Sequence, residues 1–375
     1  MQGLNIWVVV YAIGAAQAAP LALALWRHAA NVRANHALAA WIAVVGLDLA
    51  VKAAFLAAPS SAWFPLYRVV GLFPFAYGAL FYVYVRALTT GRGFVARDLL
   101  HMAGFALALA MELPALAGGA ERHAADLALW MRHALPPTMP YYNLLLFAWG
   151  LGYVGAALVR VYRYRRALRQ RRSDADRLSL RWVEMMALAQ VVVWCIALLH
   201  VLLRLPGVDY YLIYGAVATW VCAVGWFSLS QPPVAEVPLP QPGVPADPRD
   251  PVPAANDDAR FPEVEARLLQ LMATQALYRE PALTIGQLAR RSGYPEYLVS
   301  VVINRRFEAS FCDWINGQRI EAARARLADA GEARTILDIA YDCGFTSKST
   351  FNAAFKRLVG QTPSAYRRSA GREAA

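Results

Sequence analysis

A chain of 375 residues with a net charge of +11 has the size and charge of two or three soluble nucleic-acid-binding domains, but 58% hydrophobic residues and a mean hydropathy of +0.34 exclude that class for the whole molecule. Charge and apolar surface must lie in different stretches. Residues 1–230 carry long apolar runs, 231–258 are proline-rich and acidic, and 259–375 have the composition of an ordinary soluble helical domain.

A helix crossing a hydrocarbon core of roughly 30 Å needs about 20 mostly apolar residues. Seven stretches supply them, at about 4–26, 34–57, 65–88, 97–117, 139–160, 182–204 and 209–230. Buried helices of a soluble protein are the competing reading, and runs such as Met185–Leu203, almost without charge, argue against it. A cleaved signal peptide does not suit the first span, because Met1–Tyr11 lacks a basic leader.

Lys and Arg in short loops mark the cytoplasmic side. Arg27 and Arg33 follow the first span, and Arg86, Arg92 and Arg97 follow the third. After the fifth comes V-R-V-Y-R-Y-R-R-A-L-R-Q-R-R, from Val159, continued by Arg177 and Arg181. The alternate loops are poor in positive charge, which predicts an N-terminus outside and a C-terminus in the cytoplasm of a bacterial inner membrane. The arginine run then reads as a sidedness signal that also touches anionic lipid headgroups, not as a nucleic-acid grip.

Within the spans, Asp48 and Lys52 stand four apart on one helix face, and Arg68, Glu112, His200 and Arg204 fall near outer span ends. Ionisable groups in a bilayer are costly and either pair or line a cavity. Asp48, Lys52, Arg68, Glu112 and His200 are the candidate lining of an outward-facing pocket for a small polar ligand; the alternative is an Asp48–Lys52 pair with snorkelling neighbours. Trp63, Tyr67, Tyr141, Tyr142, Tyr210 and Tyr211 read as an interfacial belt. Cys195, Cys222, Cys312 and Cys343 have neither disulfide-framework nor zinc spacing, and no catalytic motif occurs, so the expectation is a non-enzyme without cofactor or metal.

Residues 231–258 contain nine prolines and no hydrophobic period. Such a stretch favours extended polyproline geometry and reaches on the order of 80–90 Å at about 3.1 Å per residue.

Beyond it, L-T-I-G-Q-L-A-R-R-S-G-Y-P-E-Y-L-V-S-V-V-I-N-R-R-F places Thr284 and Gln287 at capping-box spacing before a short helix, then Ser292-Gly293 as a turn, then a second helix. A near copy follows, with Thr335 and Asp338 capping, Gly344 turning, and S-K-S-T-F-N-A-A-F-K-R-L beginning the next helix. Ile336, Ile339 and Ala340 would face Phe345, Phe351 and Phe355, leaving Lys348, Ser349, Asn352 and Ala353 outward. A helix so placed enters a DNA major groove N-terminus first.

The string I-A-Y-D-C-G-F-T-S-K-S-T-F-N-A-A-F-K-R-L-V-G-Q-T-P-S-A-Y-R-R resembles the signature of the AraC-type transcriptional regulators, and G-Y-P-E-Y-L, I-N-R-R-F and N-G-Q-R-I-E-A-A-R resemble its first half. The resemblance covers about residues 262–370. It implies a seven-helix domain with two recognition helices, at about 295–305 and 347–357, that enter successive major grooves. Glu296, Tyr297, Ser300 and Asn304 on the first and Lys348, Ser349 and Asn352 on the second are then the base readers. Val301 and Ala353 depart from the family, standing where many members carry arginine. Arg290, Arg291, Arg305, Arg306, Arg319, Lys356 and Arg357 are candidate phosphate contacts, which position without specifying; Arg319 has a second reading, a local pair with Glu321.

The whole reads as an all-α protein of three parts: a seven-span domain over 1–230, a linker over 231–258 and a DNA-binding domain over 259–375. It is expected to be a one-component regulator at the membrane. Its partners would be double-stranded DNA, the lipid bilayer, a small polar ligand, RNA polymerase and a second copy of the chain, the last through Gly152 and Ala156. A transporter with a regulatory tail and a plain membrane anchor are the alternatives.

Overall fold

The computed structural model describes residues 6–132, 142–176, 178, 180–203, 210–229, 234, 257–329 and 331–373. Among these the chain is helical without a strand, with an isolated antiparallel bridge between Arg172 and Thr284. The chain divides into two compact units, Met1–Tyr162 with Leu180–Glu236, and Arg163–Ser179 with Val237–Ala375. All but Val234, Asp257 and Asp258 of the expected linker lies outside the described residues.

The first unit contains α1 (Ile6–Arg27), α2 (Val32–Ala57), α3 (Phe64–Val70), α4 (Pro74–Thr90), α5 (Ala103–Leu116), α6 (Ala120–Met131), most of α7 (Tyr142–Arg171), α8 (Arg181–Leu203) and α9 (Tyr210–Leu229). Six helical stretches among the described residues are long and apolar enough to cross a membrane: Ile6–Arg27, Val32–Ala57, Phe64–Thr90, Ala96–Leu116, Tyr142–Arg171 and Arg181–Leu199. The seventh expected span falls on α9, which is not among these six.

Small residues let α1 lie close to its neighbours. A Cβ on Gly14 would stand 2.7 Å from the Cβ of Ala218, and one on Gly46 2.6 Å from that of Ala18. One expectation needs correction. The third span is not one helix: Pro74 has no N–H to continue the ladder, so the chain turns through Gly71–Phe73 and restarts with the proline in its first turn. Between the fourth and fifth apolar stretches a further helix, α6, forms, and its Trp130 ring packs edge-on at 5.2 Å from Phe55 and 5.4 Å from Tyr67. Tyr67 also stacks on Phe55 at 4.3 Å, so it is part of an aromatic cluster as well as a span-end residue.

Among the described residues the second unit contains, besides the end of α7, seven α-helices: α10 (Asp257–Gln275), α11 (Ile285–Ser292), α12 (Glu296–Arg306), α13 (Phe311–Ala328), α14 (Ile336–Asp342), α15 (Lys348–Val359) and α16 (Pro363–Glu373). Two apolar clusters form its core. One joins α10, α11 and α12 to the start of α13, with Leu268, Leu288, Leu298, Val302 and Phe311 fully buried. The other joins the rest of α13 to α14, α15 and α16 around Ile320, Ile339, Phe351 and Phe355. The helix α13 thus supplies both halves.

Local signals set the helix ends. Thr284 accepts from the Gln287 N–H and Thr335 from the Asp338 N–H, each with the reciprocal bond of a capping box. Gly293 at φ 80° and Gly344 at φ 91° take the left-handed turns.

Candidate nucleic-acid interface

The helices α12 and α15 bury side chains at the same spacing. Leu298, Val299, Val302 and Ile303 turn inward on α12, and Thr350, Phe351, Ala354 and Phe355 on α15. Each set is the other moved by 52 positions, so Glu296, Tyr297, Ser300, Val301 and Asn304 correspond in turn to Lys348, Ser349, Asn352, Ala353 and Lys356. On α15, Lys348, Ser349, Asn352, Ala353 and Lys356 are all exposed. On α12, Glu296 and Asn304 are exposed and Ser300 is half-buried, whereas Tyr297 and Val301 pack partly against the first core cluster. The face of α12 is therefore more apolar and less free than that of α15.

Ser347 caps α15 by accepting from the Thr350 N–H, with its hydroxyl also within 3.2 Å of that of Ser349. The cap leaves Lys348 at the first helical position, where an entering helix meets a groove.

Four of the candidate phosphate contacts hold carboxylates in the free chain: Arg291 with Glu280 at 3.1 Å, Arg305 with Asp258 at 3.2 Å, Arg306 with Glu265 at 2.7 Å and Arg357 with Asp313 at 3.0 Å. Exposed pairs of this kind contribute about 0–1 kcal/mol. Exchanging such a carboxylate for a phosphate therefore costs little. Arg290 and Lys356 are exposed.

Arg319 does not pair with Glu321, which instead accepts from Arg324. The Arg319 side chain is buried, donating from Nε to the Tyr278 carbonyl at 2.7 Å and from Nη2 to the Glu280 carbonyl at 2.9 Å, with Asn316 Oδ1 at 3.3 Å. Its guanidinium also lies 5.6 Å from the centre of the Phe345 ring, in the second helix-turn-helix half. Burial lowers its pKa to about 10, so it stays charged at neutral pH. A planar fork with several fixed donors suits a buried joint that a single ammonium would not fill. Nothing in this arrangement leaves Arg319 free for phosphate.

The arginine run supplies a contact that the sequence did not disclose. The Ser173 N–H donates to the Leu283 carbonyl at 3.0 Å, its carbonyl accepts from Cys312 Sγ at 3.4 Å, and its hydroxyl accepts from Arg319 Nη2 at 3.1 Å. Arg169 donates to Asp176 at 2.7 Å and to Asp313 Oδ1 at 2.6 Å, the oxygen that also accepts from Arg357. Ser173, Asp174 and Ala175 are buried. Burial, reinforced by the carboxylates of Asp176 and Asp313 and opposed by the charge of Arg169, pushes the Cys312 thiol up to about 12. The segment thus ties Leu283 and Thr284, at the start of the first helix-turn-helix half, to α13.

In the first unit the expected pocket residues form two separate groups. Lys52 pairs with Asp48, both buried, and the Tyr77 hydroxyl donates to Asp48 Oδ2 at 2.5 Å. Arg68 instead bonds Glu112 at 2.6 Å and approaches Asp126 at 3.6 Å. The side chain of His200 and all of Arg204 lie outside the described residues. Two of the basic residues read as sidedness signals lie within helices and have structural partners: Arg33, on α2, donates to the Gly91 carbonyl at 2.5 Å, and Arg86, on α4, to the Gly93 carbonyl at 2.9 Å and to Asp98. No group of three or more His, Cys, Asp or Glu with metal-holding geometry occurs among the described residues.

Residues 288–369 match the family described as a helix-turn-helix domain. The chain is similar to the regulatory protein SoxS of Escherichia coli K12, 33% identical over 85 residues that make up 23% of this chain and 78% of SoxS. It is also similar to the melibiose operon regulatory protein of the same organism, 31% identical over 99 residues, 26% of this chain and 32% of that one. The probable transcription factor PqrA of Proteus vulgaris is 28% identical over 100 residues, 27% of this chain and 80% of PqrA. No solved structure matches.

Proposed function

The chain belongs to the AraC-type helix-turn-helix transcriptional regulators, and on that premise we propose that it is a one-component regulator held in a bacterial inner membrane, reading DNA with α12 and α15 under the control of its first unit. DNA binding and regulation of transcription come with the family. The seven-span topology, the orientation, the sensing role and the individual base contacts are the proposal's own.

The base readers in this reading are Glu296, Tyr297, Ser300 and Asn304 on α12 and Lys348, Ser349 and Asn352 on α15. Arg290, Arg291, Arg305, Arg306, Lys356 and Arg357 position the duplex. Tyr297, half-packed on the core, offers a ring edge for apolar contact more readily than a mobile hydrogen-bonding arm. RNA polymerase and a second copy of the chain are the further partners; Gly152 and Ala156 are exposed on α7, as a packing face requires.

The observation that carries the coupling is the docked arginine segment. The helix that begins at Tyr142 as an apolar span continues without a break to Arg171, and its last turns and the following residues belong to the DNA-binding unit. A ligand that prefers one arrangement of the spans shifts the population of DNA-binding states if it also shifts this segment.

The orientation is tested by C-terminal reporter fusions. Green fluorescent protein should fluoresce and alkaline phosphatase should stay inactive; the reverse pattern would place the DNA-binding unit outside and end the proposal.

A further inference from the structure

Resting on the reading of the first unit as a membrane domain, we propose that Arg163 and Arg166 form a site for the headgroup phosphate of an anionic phospholipid whose acyl chains lie along the preceding turns of α7. The helix runs unbroken from Tyr142 to Arg171, and one of its faces changes character on the way. Gly152, Gly155, Ala156 and Val159 are exposed, then Tyr162, then Arg163 and Arg166. Val159, Tyr162, Arg163 and Arg166 stand at i, i+3, i+4 and i+7, the spacing of a single helix face. Val161, Tyr164 and Leu168, on the opposite side, are buried.

Val159 is 51% exposed and Tyr162 66%, apolar area that costs free energy in water and none beside an acyl chain. Apolar side chains, then a phenol, then two guanidiniums is the order of a phospholipid's own parts: chain, interface, phosphate. Tyrosine favours the interfacial level, with its ring on the apolar side and its hydroxyl on the wet side.

The arginines of the run divide by what they hold. Arg160 donates to Thr89 Oγ1 at 3.0 Å, Arg169 to Asp176 and Asp313, and Arg172 to Asp174 at 2.8 and 3.0 Å. Arg163 and Arg166 are exposed and hold no carboxylate among the described residues. Two arginines one turn apart with no acid to neutralise them call for an anion, and a guanidinium fork meets two phosphate oxygens at once. DNA also offers phosphates, but a duplex has no apolar counterpart for Val159 and the Tyr162 ring, so the continuity of the face selects lipid. Arg169, three residues beyond Arg166, is tied to Asp313. Lipid and protein thus hold neighbouring turns of the same helix.

The test is native mass spectrometry of the intact chain in detergent micelles, titrated with phosphatidylglycerol or phosphatidylcholine, which resolves single bound lipids. A first phosphatidylglycerol is expected to bind more tightly than a phosphatidylcholine. Arg163→Gln and Arg166→Gln should each raise its Kd about fivefold and leave that of phosphatidylcholine unchanged. Arg171 is also exposed. Arg171→Gln removes the same charge about 7.5 Å further along the helix, close to a Debye length, and should change the Kd by less than about twofold. Equal losses from all three substitutions would reduce the effect to net charge and overturn the site. Displacement of the lipid by glycerol phosphate, which has the phosphate without the chains, would do the same. Weakened DNA binding in the double variant Arg163→Gln, Arg166→Gln, with lipid binding intact, would assign the pair to DNA instead. A chain that stays soluble without detergent and takes up neither lipid would end the membrane reading itself.

Discussion

Gly344 holds φ at 91° in the turn before α15, and a Cβ there would stand 2.6 Å from the Tyr278 carbonyl oxygen and 2.7 Å from that of Arg279. The residue meets two demands, a left-handed backbone and a close approach of the second helix-turn-helix turn to the backbone of the first half. Gly344→Ala should destabilise the second unit by at least about 1–2 kcal/mol from the backbone alone, seen as a lowered melting temperature; Gly293→Ala, with open space around it, should cost only the backbone part. Lys348 makes the opposite kind of case, exposed and bound to function. Lys348→Ala should leave stability alone and cost roughly 1–3 kcal/mol of affinity at the cognate site. A fluorescence-anisotropy titration giving the same affinity and base preference as wild type would remove Lys348 from the readers. The turn glycines and caps were legible in the sequence because their causes are local. Arg319 was not, because its carbonyl partners near position 280 lie about 40 residues away and its Ser173 partner 146 away.

At the scale of elements, the inward face of the second helix-turn-helix half was readable from its apolar positions, and Ile339, Ala340, Phe345, Phe351 and Phe355 are buried; the matching spacing on α12 emerged from the structure, with Tyr297 and Val301 partly packed on the core. Helix α6 escaped notice because a search for apolar runs passes over an amphipathic stretch such as A-E-R-H-A-A-D-L-A-L-W-M. The break before Pro74 was hidden for the opposite reason, an apolar run continuing straight through it. The docked segment following α7 gives a chemical prediction through Cys312, whose thiol has a pKa of about 12 and lies fully buried against Ser173. A thiol whose pKa is raised stays protonated at neutral and mildly alkaline pH, and the thiolate is the reactive form. In a chain with the other three cysteines replaced by serine, N-ethylmaleimide should therefore leave Cys312 unmodified from pH 7 to pH 9. Arg169→Glu, which sets a carboxylate against Asp176 and Asp313, should release the segment and make Cys312 reactive. Rapid labelling of the unaltered segment would show that it does not stay docked.

For the whole molecule, composition alone divided apolar from soluble sequence, and the repeated helix-turn-helix pattern reached the family. The contacts of the arginine segment lay beyond the sequence: residues 169–175 meet residues 283–319 more than a hundred positions away, and a run of arginines carries no sign of its partners. Its proposed role is bracing. The segment joins the start of the first helix-turn-helix half to α13, which supplies both cores, and two helices proposed to enter successive grooves would bind best with their spacing fixed beforehand. The central claim, that this segment links the first unit to DNA reading, is tested by the Kd of the intact chain in nanodiscs for a duplex selected from its own genome. With Arg169→Glu the Kd should rise about three- to tenfold, as expected for losing the two partly buried ion pairs of Arg169 and their bracing, while nonspecific DNA binding stays within twofold. An unchanged Kd, with Cys312 newly reactive to prove the segment released, would contradict the account.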